Sequence, residues 1–243
     1  KDAMEMKSCF ISKASREKIC LLLEKSCTNE KENIIYPMPS LNISKLQLAS
    51  KVKNLRGISK KYILFNSSVV PRKNLHFLIN IFQSSGLASK GFDLCVAGKI
   101  HDDEYGLEIK RMCESETNIK LLGYVDETEK AWLFLNAYAF VSPSCVEGFG
   151  IPVLDAASLG IRVLVSDLPS HREIANLIKE NHYFRLLDLS NVDTWIYELS
   201  LLNTLNLDME SEINNRILTF KSRFNDLKCI FERSIIDLVT HKI

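Results

Sequence analysis

Residues 138–165 read YAFVSPSCVEGFGIPVLDAASLGIRVLV. The stretch opens on a short apolar run, Tyr138 to Val141, of the length of one buried strand. A loop carrying Glu147, Gly148, Phe149 and Gly150 follows. Ile151 and Pro152 then begin a helical stretch that ends at Gly160, because proline suits the first turn, where its missing N–H leaves no bond unmade. Arg162 to Val165 is a second apolar run. Two short apolar runs joined by a helix read as neighbouring parallel strands with a crossover between them.

The same alternation extends outward in both directions. Upstream lie apolar runs at Tyr62–Asn66, Phe92–Ala97 and Asn118–Leu122. Stretches at helical period separate them: LHFLINIFQSS, Glu104–Glu114 and Glu127–Asn136, the last with Ala131, Leu133, Phe134 and Leu135 as its apolar surface. Downstream, Tyr183–Leu187 reads as a sixth strand, and helices are expected over 192–206, 209–222 and 226–240. This pattern predicts an α/β fold, a parallel sheet with helices on both faces. Right-handed crossovers bring the loops after Asn66, Gly98 and Val141 to one edge, where such sheets bind ligands.

The first sixty residues differ. Ser15–Lys25 has helical spacing with Ser15 as its N-cap, and Ile34 to Tyr36 is a short apolar stretch stopped by Pro37 and Pro39. One helix and one strand cannot build a core, so this segment must pack against the rest. Residues 1–61 hold 13 basic and 6 acidic side chains, and six basic residues without an acid lie between Lys45 and Lys61. That stretch reads as a solvated linker, with anionic lipid or nucleic acid as the alternative surfaces.

Composition excludes several classes. At 46% apolar and 25% charged the chain is that of a globular protein rather than a disordered or fibrous one. No apolar run reaches the ~18 residues of a membrane span, and the start lacks the apolar stretch of a signal peptide. Seven scattered cysteines without a CxxC pair argue against a disulfide framework or a zinc site, and for a reducing compartment. No GxGxxG follows a strand and no GxxxxGK[ST] occurs, which disfavours dinucleotide-binding Rossmann enzymes and P-loop NTPases.

Two loops carry chemistry. In the first, the glycines beside Glu147 let a ligand approach the backbone, and the helix start at Ile151 favours an anion such as phosphate. Asp155 lies about one and a half turns into that helix and is expected to border the pocket. In the second, NSSVVPRKN, Arg72 offers a planar fork and Lys73 a mobile charge suited to a diphosphate, with Asn74 as a cap for the next helix. Each loop alone also reads as an ordinary surface turn. His101, Asp102 and Asp103 read as a polar loop rather than a metal site, Trp132 and Trp195 as core.

The order and spacing of these stretches resemble a known family. The chain is similar to the C-terminal, donor-binding domain of retaining glycosyltransferases of the GT-B architecture, family 4. Its glutamate motif, EGFGxPxxEAxAxG, corresponds to Glu147 through Gly160. Further matches are Pro71–Asn74, Val96–Lys99, Leu122–Asp126, Val141–Ser144 and Ser166–Ile174, together covering about residues 60–178. The resemblance implies the Rossmann-like C-terminal half of a GT-B fold. Residues 1–60 would be the end of an N-terminal domain plus a basic interdomain linker, and 61–243 the nucleotide-sugar-binding domain with its C-terminal helices. On this reading the chain is a fragment or one part of a split enzyme, its N-terminal domain supplied in cis or in trans.

What the family implies residue by residue is then specific. Arg72 and Lys73 would bind the donor's diphosphate, and Glu147 would contact hydroxyls of the transferred sugar. Ser67 and Ser68 line the donor loop, and Gly148, Phe149 and Gly150 offer backbone N–H groups. Tyr124 and Val125 would meet the base, Asp155 the ribose, and His171, at a helix start, would be structural or stand behind the residues that touch the donor. Asp155 is one methylene shorter than the family's glutamate, and Ser67 replaces a glycine. The implied activity is transfer of a hexose, from GDP-mannose by preference, to a glycan or lipid-linked acceptor with retention, in surface polysaccharide synthesis. No cofactor or metal and no nucleic acid would be involved, and the location would be cytoplasmic with peripheral contact at the inner membrane face. The alternatives are a non-catalytic nucleotide-sugar binder or partner subunit, and a transferase using a UDP-sugar.

Overall fold

A computed structural model describes residues 10–22, 34–58, 61–179 and 182–240. Residues 23–25 of the first expected helix, Cys9, Cys27 and Lys60 lie outside them. Six parallel strands form one sheet: β1 (Lys61–Asn66), β2 (Phe92–Ala97), β3 (Ile119–Gly123), β4 (Ala139–Ser142), β5 (Arg162–Ser166) and β6 (Phe184–Leu187). Their order is β3-β2-β1-β4-β5-β6, and every pair is parallel. The helices are α1 (Lys13–Leu22), α2 (Ile43–Ala49), α3 (Leu75–Ser84), α4 (Glu104–Cys113), α5 (Glu127–Asn136), α6 (Ile151–Leu159), α7 (Pro169–Ile178), α8 (Val192–Ser200) and α9 (Met209–Thr240). This is the expected Rossmann-like arrangement.

Alternation along the strands divides the core in two. Tyr62 and Leu64 of β1 join Phe140, Val163 and Val165 on the face covered by α2, α5, α6, α7 and α9. Ile63 and Phe65 turn to the other face with Val141, Leu164, Ile109 of α4 and Trp195 of α8. The period of two in a β-strand sends neighbours to opposite sides, so a sheet buried on both faces needs continuous apolar runs. Trp132 and Trp195 are both buried.

Local chemistry sets the helix ends. Asp126 accepts from the N–H groups of Thr128 and Glu129, and Glu129 accepts from Asp126 N, a capping box at the start of α5. Asp103 caps α4 through Gly106 N at 2.8 Å, and Asp102 pairs with Lys110.

Several expectations need correction. α1 begins before Ser15, whose N–H donates to Ser12 Oγ, so Ser12 is the cap. Of Ile34 to Tyr36 only Ile34 makes a bridge, to Phe10. Residues 43–49 form a helix that sequence reading missed, with Leu46 and Ala49 buried. The helix expected over 192–206 ends at Ser200 and continues as a 3₁₀ turn. Two expected C-terminal helices are one, because Phe224 and Leu227 pack into the core across the polar Asn225–Asp226 break. Cys20 is disulfide-bonded, against the expectation of unpaired cysteines. Among the described residues no helix is long and apolar enough to cross a membrane.

Candidate functional site

The strand order reverses between β1 and β4, which lie side by side at the centre of the sheet. Loops leaving the C-terminal ends of these strands diverge there and leave the crevice in which open parallel sheets hold ligands. The two chemistry-bearing loops are those loops.

After β1, Ser67 N donates to Ala97 O at 3.0 Å. Gly98, at φ +142°, lets the two chain segments approach so closely that a Cβ there would stand 2.0 Å from Ser67 O. Ser68 is exposed. Residues 71–73 make one 3₁₀ turn that points Lys73 inward, 7% exposed, and Arg72 outward. Asn74 takes the left-handed conformation at φ 56°, and its side chain caps nothing. The Tyr105 hydroxyl instead accepts from Leu75 N at 3.0 Å. The expected cap is thus replaced by a side chain from α4.

After β4, the chain turns through Ser144 and presents Glu147. Its carboxylate accepts from Lys73 Nζ in a short, nearly buried ion pair, and from Ser144 Oγ at 2.8 Å. Arg72 Nη1 lies 3.6 Å from the second oxygen of the same carboxylate. Cys145 N donates to Arg72 O at 2.8 Å, tying the loops together along the backbone. The structure therefore brings Arg72, Lys73 and Glu147 into one cluster. Gly148 is exposed, Gly150 takes φ +104°, and no side chain caps the start of α6. The Phe149 side chain is 2% exposed and packs on Tyr36 at 5.9 Å, so only its backbone faces the loop.

Asp155 is placed apart from that cluster. It is fully buried, and its carboxylate accepts from Ser40 N at 2.6 Å, Ser40 Oγ at 2.5 Å and Leu41 N at 3.1 Å, with Lys130 Nζ 3.6 Å away. Burial pushes its carboxyl above the usual range, against the opposing pull of Lys130 and these bonds. In this structure it holds residues 40–41 rather than opening onto a pocket. Tyr124 is 81% exposed at the end of β3, and Val125 packs partly on the core.

Groups from elsewhere in the chain support the glutamate loop, in roles that the sequence did not assign to them. Ser12 and Ser15 of the opening segment donate to Gly148 O at 2.8 and 2.7 Å. Glu173 accepts from Lys13 N and Ala14 N, each at 2.9 Å. Ser166 Oγ donates to Ser144 O, and His171 Nδ1 lies 2.7 Å from Ser166 O. The contacts of Ser12, Ser15 and Glu173 join positions over 130 apart in the chain, so no local pattern announces them. Among the described residues no group of three or more His, Cys, Asp or Glu is placed to hold a metal ion.

Known proteins are similar to this chain in sequence or in fold. The O-antigen chain mannosyltransferase B of Escherichia coli is 31% identical over 115 residues, 46% of this chain and 30% of that protein. The O-antigen chain mannosyltransferase RfbU of Salmonella typhimurium LT2 is 31% identical over 119 residues, 47% of this chain and 32% of that one. The chain thus spans about a third of these relatives' length in the matched region. The structure of Anabaena Alr3699/HepE in complex with UDP and glucose superposes with a TM-score of 0.69 at 18% identity, covering 95% of this chain and 62% of that one. The family described as glycosyl transferases group 1 matches residues 48–182, more than half the chain. With that match laid over a six-stranded sheet whose central loops meet at Lys73 and Glu147, the chain belongs to the glycosyl transferases group 1 family and has the fold of the C-terminal domain of a GT-B glycosyltransferase.

Proposed function

We propose that this chain is the donor-binding part of a glycosyltransferase that moves a hexose from a nucleotide-diphosphate sugar to a glycan or lipid-linked acceptor in surface polysaccharide synthesis. The observation that carries the reading is the Lys73–Glu147 pair at the reversal point of the sheet, beside the uncapped start of α6. Arg72, Lys73 and the helix start would neutralise the diphosphate as it leaves, in the place a metal would otherwise take. Glu147 would hold sugar hydroxyls. The acceptor would attack on the face the diphosphate leaves, which retains configuration, and the leaving diphosphate would take its proton, so no separate base is needed.

GDP-mannose is the preferred donor, in keeping with the mannosyltransferase names of the relatives. Ser67, Ser68, Tyr124 and Val125 would line the donor's approach, with the base near the last two. Asp155 would reach a ribose only after releasing Ser40 and Leu41. The acceptor would be held by a further domain, in cis or in trans. Lys45, Lys51 and Lys53 would give peripheral contact with an anionic inner membrane face from the cytoplasm.

Calorimetric titration with GDP, UDP, GDP-mannose and UDP-N-acetylglucosamine tests this. Selective binding of one nucleotide series is expected, with a loss of at least about tenfold in Arg72→Ala/Lys73→Ala, since each charge-assisted bond is worth about 1.5–3 kcal/mol. Selectivity for UDP would replace the GDP assignment. No binding by the folded chain would overturn the donor site.

A further inference from the structure

The imidazole of His171 is completely buried at the third position of α7. Nδ1 lies 2.7 Å from Ser166 O, an acceptor only, so Nδ1 carries the hydrogen. Nε2 is then a bare lone pair, buried and without a hydrogen-bond partner among the described residues. It abuts the start of α6: a Cβ placed on Gly150 would stand 3.4 Å from it. A buried acceptor without a donor costs free energy, which calls for a compensating partner. The positive end of α6 beside it opposes a second proton on the ring until an anion neutralises that end.

The charged groups around the ring are few. Glu147 on the loop before α6 favours the charged ring, Lys73 on the 3₁₀ turn disfavours it, and Asp167 before α7 favours it while itself bonded to Arg172. Asp155 of α6 points away, onto Ser40. Burial is the largest influence and holds the imidazole neutral below its usual range. A dianionic diphosphate arriving at the end of α6 would reverse that balance, because charge in a poorly solvated site acts strongly over a few ångströms.

We propose that His171 is the proton-linked element of this site, taking up a solvent proton at Nε2 as an anionic diphosphate settles at the start of α6. The ring then donates from both nitrogens, and its positive charge adds to those of Arg72 and Lys73. The inference rests on the donor-site reading above.

Nucleotide sugars are the right probes, because each of their phosphates carries one ester and one anhydride bond, keeps a single strongly acidic hydroxyl and stays ionised at neutral pH. Calorimetry of GDP-mannose or UDP-N-acetylglucosamine in buffers of different ionisation enthalpy gives the net proton uptake. Uptake of up to one proton is expected, with affinity rising as pH falls from 8 to 6, by about tenfold per unit at most. His171→Asn keeps an N–H for Ser166 O and cannot titrate, so uptake and pH dependence should vanish while binding persists. Binding by the wild-type chain without proton uptake, or unchanged uptake in His171→Asn, overturns the inference alone. Absence of any nucleotide-sugar binding overturns the donor site and this inference together. Should His171→Asn fail to fold, the wild-type uptake and the imidazole ¹⁵N shifts with and without ligand decide it.

Discussion

Lys73 and Glu147 are each under 10% exposed in their side chains, and each is the other's main compensation. Removing one partner of a buried pair leaves an uncompensated charge and costs about 3–5 kcal/mol, whereas removing both costs far less. Lys73→Met and Glu147→Gln are therefore expected to lower the urea midpoint sharply. The double variant Lys73→Met/Glu147→Leu should recover much of the loss yet bind no nucleotide sugar. Urea denaturation with calorimetry separates the two effects. Asp155 makes a pH prediction. Its folded-state carboxyl is raised, so its stabilisation is fullest below the unfolded carboxylate pKa and is lost as pH rises through the folded value. The stability advantage of the wild type over Asp155→Asn should thus shrink from pH 4 to pH 7, as thermal unfolding at both would report. An advantage that grows with pH would mean that Lys130 and Ser40 outweigh burial.

At the scale of elements, the turn that presents Lys73 is stabilised from outside itself. Leu75 N–H has no partner in its own helix and is met by the Tyr105 hydroxyl of α4. Tyr105→Phe removes that bond and the longer one from His76 N at 3.5 Å, at a cost of about 1 kcal/mol, or a fall in Tm of about 2–4 °C for a chain this long. A parallel fall in nucleotide-sugar affinity is expected, because Asn74 and Lys73 sit immediately before the released N–H. The glutamate loop is braced in the same way, by Ser12 and Ser15 on Gly148 O. Ser12→Ala/Ser15→Ala should weaken donor binding with a smaller change in Tm. Unchanged binding would show that the loop keeps its shape without the opening segment.

At the scale of the whole molecule, α9 closes one face of the sheet. Arg216, 3% exposed, donates to Leu135 O and Ala137 O at 2.6 and 2.8 Å and pairs with Glu212. It thereby satisfies carbonyls at the end of α5 that the helix itself leaves open. Arg216→Met would keep the stem and strip the fork, leaving two buried carbonyls unmatched at about 1–3 kcal/mol each. The expected result is a lower urea midpoint with an unchanged slope, since the fold stays compact. A changed slope would mean that α9 detaches. The segment of residues 34–58 belongs to the same core through Leu41, Leu46 and Ala49, and Asp155 is where it is anchored.

The alternation of apolar runs with helical periods was enough to foresee four of the five crossovers, both covered faces and the two loops at the reversal point; α7, between β5 and β6, was not among them. Those features follow from side-chain periodicity and from proline and glycine, which act within a few residues. That Arg72, Lys73 and Glu147 lie on neighbouring loops was legible as well, because those loops follow two strands whose crossovers bring them to one edge; the ion pair between them was not. Chain-distant partners were not legible: Tyr105 in place of Asn74 as the cap, Arg216 on α5, or Ser12 and Ser15 on Gly148. Nor was the unbroken run of α9 through Asn225 and Asp226, where weak local helix preference yields to the burial of Phe224 and Leu227. The carboxylate of Asp155 and the bare nitrogen of His171 mark the limit best. A sequence states which polar groups will be buried-side candidates; only packing between segments far apart in the chain decides what, if anything, each one meets.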